Sequence, residues 1–216
     1  MIRFNLKGDG SKDLQILCLG AHSDDIEIGC GGTILRLAEE DPGSRFHWVV
    51  FSGCDARKVE AQQAAAMFAG SGLVGPTLKS FPDGFMPTVA AEVKNVFEEL
   101  KRSVQPDLIF THNRHDAHQD HRLIAELTWN TFRNHLILEY EIPKYDGDMG
   151  QPGFFVPVEK ETSEKKVNFI LNTFKSQHGK NWFDETTFFA LMRLRGMECN
   201  APSGYAEAFY CRKAVL

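Results

Sequence analysis

Leu14 to Thr33 reads LQILCLGAHSDDIEIGCGGT, and this stretch decides the fold. Its first six residues form a short apolar run, fit for a strand buried on both faces. The run stops at Gly20-Ala21, and Ile28, Ile34, Leu35, Leu37 and Ala38 then mark a helix. Three ionisable side chains, His22, Asp24 and Asp25, stand in the turn between strand and helix. In an open α/β sheet, ligands bind beyond the carboxyl ends of the strands, so this turn is the first place to look for chemistry.

The same alternation continues along the chain. Strands are expected at Phe46–Phe51, at Thr77–Phe81 (weakly), at Asp107–Thr111 and at His135–Ile142. Helices are expected at Arg57–Gly70, at Val89–Val104 and at His121–Phe132. The second of these carries a clear apolar stripe at positions 89, 93, 96, 97, 100 and 104. Residues 143–157 are rich in Gly, Pro and Asp and read as a loop that serves as lid or rim. Two further helices, Ser163–Lys175 and Asp184–Arg195, and a last strand at Ala208–Arg212 complete the pattern. The fold expected is a three-layer α/β/α sandwich with a mostly parallel sheet. One domain over 1–216 is expected, with 143–216 forming a C-terminal lobe or rim of the active site.

With 216 residues the chain can bury a full core without disulfide staples. The 29 acidic residues exceed the 24 basic ones, which argues against nucleic acid or an anionic membrane surface as partner. No apolar run approaches the ~20 residues that span a bilayer. The polar N-terminus has no signal-peptide pattern. Five cysteines, an odd number without CxxC spacing, fit a reducing cytoplasm. A homo-oligomer is compatible with all of this.

The turn at 22–25 joins imidazole to two adjacent carboxylates. Neighbouring carboxylates repel and are costly to desolvate unless a cation joins them, and this donor set suits Zn²⁺ or Fe²⁺. The alternative is simple helix capping by an aspartate. The glycines at 29, 31 and 32 lack the G-x-G-x-x-G spacing of a dinucleotide loop, since Ile34 stands in the last position. They fit close helix–sheet packing instead. A second cluster follows the strand at 107–111: His112, His115, His118 and His121 lie within ten residues. His118 and His121 are three apart, so they converge on one side of the first helical turn. A ligating histidine needs its other nitrogen anchored, and Asp116 or Asp120 could serve.

The segments Ala21-His22-Ser23-Asp24-Asp25-Ile26-Glu27-Ile28-Gly29-Cys30-Gly31-Gly32 and His118-Gln119-Asp120-His121 together resemble the PIG-L/LmbE family of metal-dependent N-acetylglucosaminyl deacetylases. Arg193-x-Arg195-Gly196 and Tyr205–Phe209 also resemble its bacterial members, and Ser23 stands where Pro is usual. The resemblance implies a Rossmann-like fold, His22, Asp25 and His121 as metal ligands, and Asp24 as general base. It also implies that His118 stabilises the tetrahedral intermediate, with Asp120 as its orienting partner. On this basis His118 is expected to be protonated, its pKa raised by Asp120 or Asp116. Arg57 and Asp83 are candidate substrate contacts. The cofactor implied is Zn²⁺, with Fe²⁺ or another divalent metal as the alternative. The substrate implied is a small molecule carrying an N-acetylated amino sugar. Two other readings stand beside it: a metal-dependent amidase of a non-sugar amide or thiol conjugate, and a non-catalytic sugar- or nucleotide-binding domain.

Overall fold

The computed structural model describes Leu6 and residues 13–215. The strands are β1 (Gln15–Gly20), β2 (Arg45–Val50), β3 (Leu73–Leu78), β4 (Leu108–His112), β5 (Leu136–Tyr140), β6 (Phe154–Val158) and β7 (Tyr205–Cys211). The helices are α1 (Asp25–Glu40), α2 (Asp55–Ala69), α3 (Ala90–Ser103), α4 (Gln119–Thr131), α5 (Lys160–Thr173) and α6 (Glu185–Glu198). They build one seven-stranded sheet in the order β3-β2-β1-β4-β5-β7-β6. β1 to β5 pair in parallel, and β7 runs antiparallel to both β5 and β6.

Strand β1 shows why three layers form. Ile16 and Cys18 face a core shared with Ile34 of α1, Phe68 of α2, Ile170 of α5 and Met192 of α6. Leu17 and Leu19 face the other core, with Val93 and Phe97 of α3 and Ile124 of α4. A strand apolar on both faces can only sit between two helical layers. The α/β/α sandwich expected from the sequence is therefore the fold observed.

Two edges differ from expectation. β3 starts at Leu73, four residues before the expected Thr77, and runs through Gly75-Pro76. The segment expected to be a loop, 143–157, contains most of β6, which includes Pro157. Both strands are the outer ones of the sheet. A proline lacks the ladder donor, which an edge strand tolerates and a central strand does not.

The glycines of α1 serve close packing. A Cβ on Gly29 would lie 2.2 Å from Tyr140 Cδ2 of β5, and one on Gly31 would lie 2.5 Å from a Phe68 ring carbon of α2. The chain runs β1, β2, β3 outward on one side and then returns to place β4 on the other side of β1. The crevice at that reversal opens between the carboxyl ends of β1 and β4, where such sheets bind ligands.

Candidate active site

The turn after β1 carries His22, Asp24 and Asp25, and the segment after β4 carries Asp116, His118, Asp120 and His121. All except His118 are buried. His22 Nδ1 lies 3.1 Å from His121 Nε2 and 3.4 Å from Asp25 Oδ2. His121 Nε2 lies 3.6 Å from Asp25 Oδ1. A tetrahedral Zn²⁺ with bonds of about 2.0–2.1 Å spaces its ligands about 3.3 Å apart, close to the His22 Nδ1–His121 Nε2 separation, with a different Asp25 oxygen near each histidine. Overlapping groupings that could hold one are His22–His118–His121, Asp25–His112–His121 and His22–Asp83–His118–Asp120.

The neighbours of these donors distinguish among them. His121 Nδ1 lies 3.0 Å from Asp116 Oδ2, which also meets Lys144 Nζ at 3.1 Å. The far nitrogen of His22, Nε2, lies 3.2 Å from Asp120 Oδ2 and 3.1 Å from Asp83 Oδ1. Each of these two histidines thus has a carboxylate on the nitrogen that faces away from its partner, the arrangement that fixes a metal ligand. His112 Nε2 instead accepts the Ala21 N–H at 2.9 Å, which uses its lone pair. His118 Nδ1 accepts the Asp120 N–H at 3.2 Å, as the N-cap of α4. The rings of His112 and His118 flank His121, with centroids 3.9 and 4.5 Å away.

Residues 17–132, more than half of the sequence and all of the site just described except Lys144, match the family model PIG-L, GlcNAc-PI de-N-acetylase. The chain belongs to the PIG-L family. The "Uncharacterized deacetylase YaiS" of Escherichia coli K12 is 29% identical over 151 residues, covering 64% of this chain and 79% of the relative. N,N'-diacetylchitobiose deacetylase of Pyrococcus horikoshii shares the fold. Its TM-score is 0.72 at 18% identity, over 96% of this chain and 87% of that one. GalB of Pseudomonas putida KT2440, the 4-carboxy-2-hydroxymuconate hydratase, shares it too. Its TM-score is 0.76 at 19% identity, over 94% of this chain and 98% of that one. One fold therefore carries both a deacetylase and a hydratase, so the reaction must be argued from the site itself.

In this PIG-L site the electrostatics centre on a place for positive charge. Burial lowers the pKa of His22, but Asp25 and hydrogen bonds to Asp120 and Asp83 outweigh it and hold the group well above its ordinary value. Asp25 is opposed by burial, yet His121, His112 and His22 hold it well below the usual carboxylate range. Asp24 goes the other way: burial and the adjacent Asp25 raise its pKa, against Arg57 and His22. Burial brings His121 down to about 4, with His112 adding to the effect. A neutral imidazole is the form that ligates a metal.

Two expectations are corrected here. His118 is lowered, not raised: burial and the charge of His22 outweigh Asp120, Asp25 and Asp116. The Asp120 carboxylate is also not hydrogen-bonded to the His118 ring. Oδ2 takes the Gly84 N–H at 2.7 Å and faces His22, and Oδ1 takes the Met86 N–H at 3.1 Å. Gly84 reaches this geometry with φ 76°, a conformation that favours glycine.

Arg57 and Asp83, read as substrate contacts, lie at the mouth. Arg57 donates to Asp24 Oδ1 at 3.1 Å and lies 3.6 Å from Asp83 Oδ2. Asp83 is 59% exposed at its side chain, so this side of the site opens to solvent. Sequence reasoning gave no role to His112, Tyr140 or Lys144. His112 Nε2 meets Asp25 Oδ2 and the Tyr140 hydroxyl, each at 3.2 Å. The available signal was position: His112 is the last residue of a strand whose neighbours carry the site.

Proposed function

We propose that the chain is a divalent-metal-dependent amide hydrolase that removes the N-acetyl group from an amino-sugar compound. His22, Asp25 and His121 hold the metal. The observation that carries this reading is the convergence of the three side chains: His22 Nδ1 lies 3.1 Å from His121 Nε2, each has an Asp25 oxygen at 3.4–3.6 Å, and each histidine is backed by a further carboxylate. PIG-L membership supports the amide and the sugar, as do the names of fold neighbours that deacetylate diacetylchitobiose and teicoplanin. Zinc is the first metal to test, because imidazole and carboxylate suit it, and Fe²⁺ is the alternative.

A bound divalent ion would polarise the acetyl oxygen and acidify water at the site. Asp24 takes the proton of the attacking water. Its raised pKa makes it a stronger base than a solvated carboxylate, and Arg57 fixes one of its oxygens. His118 accepts at Nδ1, so its proton sits on Nε2 and is free to stabilise the developing oxyanion. Burial holds the pKa of His118 down, which favours Asp24 as the source of the amine's proton and makes one residue both base and acid. The water supplies OH to the acyl carbon and H to the amine, and acetate and free amine leave. Lys144 pairs with Asp116, the carboxylate that holds the far nitrogen of His121.

No described helix is long and apolar enough to cross a membrane. The test strips the protein of metal and assays acetate release. N-acetylated mono- and disaccharides are compared with non-sugar amides, with Zn²⁺ or, anaerobically, Fe²⁺ added back. Metal-dependent release from the sugars is expected. Release without metal, or from non-sugar amides alone, overturns the proposal.

A further inference from the structure

Helix α1, which begins at the proposed ligand Asp25, is not one continuous helix. Cys30 has φ −143° and ψ 16°, so the backbone breaks one turn after the acidic pair. In an unbroken helix the Gly32 N–H would bond to the Ile28 carbonyl four residues back. Here a buried ion pair from the C-terminal part of the chain stands in that gap. Lys166 of α5 donates from Nζ to the Ile28 carbonyl at 2.7 Å and to Glu207 Oε1 at 2.6 Å. Glu207 of β7 accepts the Gly32 N–H on Oε1 at 2.7 Å and the Thr33 N–H on Oε2 at 2.6 Å. The cation takes the carbonyl freed by the break and the carboxylate takes the freed amides. Each charge is thereby satisfied although Lys166 and Glu207 are only 3% and 4% exposed. A Cβ on Gly32 would lie 3.0 Å from Glu207 Oε1, so glycine admits the carboxylate.

The break separates two jobs. The part after Cys30 packs as an ordinary core helix through Ile34 and Leu35. The turn before it, Asp25–Gly29, docks on Tyr140 through Gly29 and aims Asp25 at His22 and His121. We infer that Glu207 and Lys166 are positioning residues for the metal half-site on α1, acting through the broken backbone rather than by touching metal or substrate. This inference rests on the metal site proposed above. The contact joins Glu207 of the Tyr205–Phe209 segment to Gly32 of the glycine-rich stretch.

The test is Glu207→Gln, which keeps the shape but removes the charge and one of the two acceptors. Zinc affinity is read in the absence of substrate, by competition with a chromogenic chelator, alongside far-UV circular dichroism. The expected result is retained helicity with zinc affinity about 10–100-fold weaker, the range seen when groups behind metal ligands are removed. With saturating zinc, turnover recovers more than half-way and KM stays at the wild-type value. If Glu207→Gln does not fold, Lys166→Met/Glu207→Gln carries the same test, because it leaves no unpaired buried charge. A folded variant with wild-type zinc affinity overturns the inference alone. A wild type that binds neither Zn²⁺ nor, anaerobically, Fe²⁺ overturns the metal site and this inference with it.

Discussion

Asp120→Asn separates the role the structure gives this residue from the role expected of it as a partner of His118. Three donors converge on its two oxygens: the Gly84 N–H at 2.7 Å, the Met86 N–H at 3.1 Å and His22 Nε2 at 3.2 Å. Asparagine has one oxygen, so its NH₂ group must face at least one of these donors. Losing one hydrogen bond to a buried charged acceptor costs about 1.5–3 kcal/mol. For a domain of this size that lowers Tm by roughly 3–12 °C. His22 also loses the full charge behind its Nε2, so zinc affinity should weaken by about 10–100-fold, equivalent to about 1.4–2.8 kcal/mol. Differential scanning fluorimetry of the metal-free protein reads the first effect and a chelator competition reads the second. A variant that binds zinc as tightly as wild type but turns over slowly would refute the reasoning. It would return Asp120 to His118.

Other substitutions probe the remaining assignments. His121→Ala should lose metal and regain some activity in excess zinc. His118→Ala should keep metal and lose ~10²–10³-fold in kcat, the cost of one oxyanion donor; metal content of the two purified variants decides between them. Asp24→Ala should cut kcat by ~10²-fold or more with metal retained. Because Asp24 acts as a base only when ionised and its pKa is raised, wild-type kcat should fall on acidification at a pH above the ordinary carboxylate range. A kcat–pH profile flat down to pH 4 would contradict this. Gly29→Ala pushes a methyl to 2.2 Å from Tyr140 Cδ2 and should cost about 1–3 kcal/mol of stability, read by urea unfolding.

The centre of the molecule was legible in the sequence and its edges were not. β1 and β4 announce themselves because strands buried on both faces must be continuously apolar, and their loops carry the clustered histidines and aspartates. β3 and β6 hide because outer strands admit Pro76 and Pro157, the same residues that signal a loop. His22, Asp25 and His121, the proposed metal donors, stand out from their motifs, but the hydrogen bonds behind them do not. Asp120 is held by amides 34 and 36 residues away in sequence, and Glu207 reaches α1 across 175 residues. Such partners are set by the fold and leave no local spacing to read. The pKa of His118 shifts opposite to the expected direction for a related reason. Neighbouring aspartates in sequence suggested a cation, while burial and a charged His22 in space outweigh them.

The grip on Asp120 comes from main-chain amides, and this has an evolutionary consequence. Between the two committed residues, Gly84 and Met86, stands Phe85, 64% exposed and with no part of its side chain needed for that grip. A side-chain change at 85 therefore leaves the two amides on Asp120 in place, so the position is free to vary while the carboxylate beside His22 stays held.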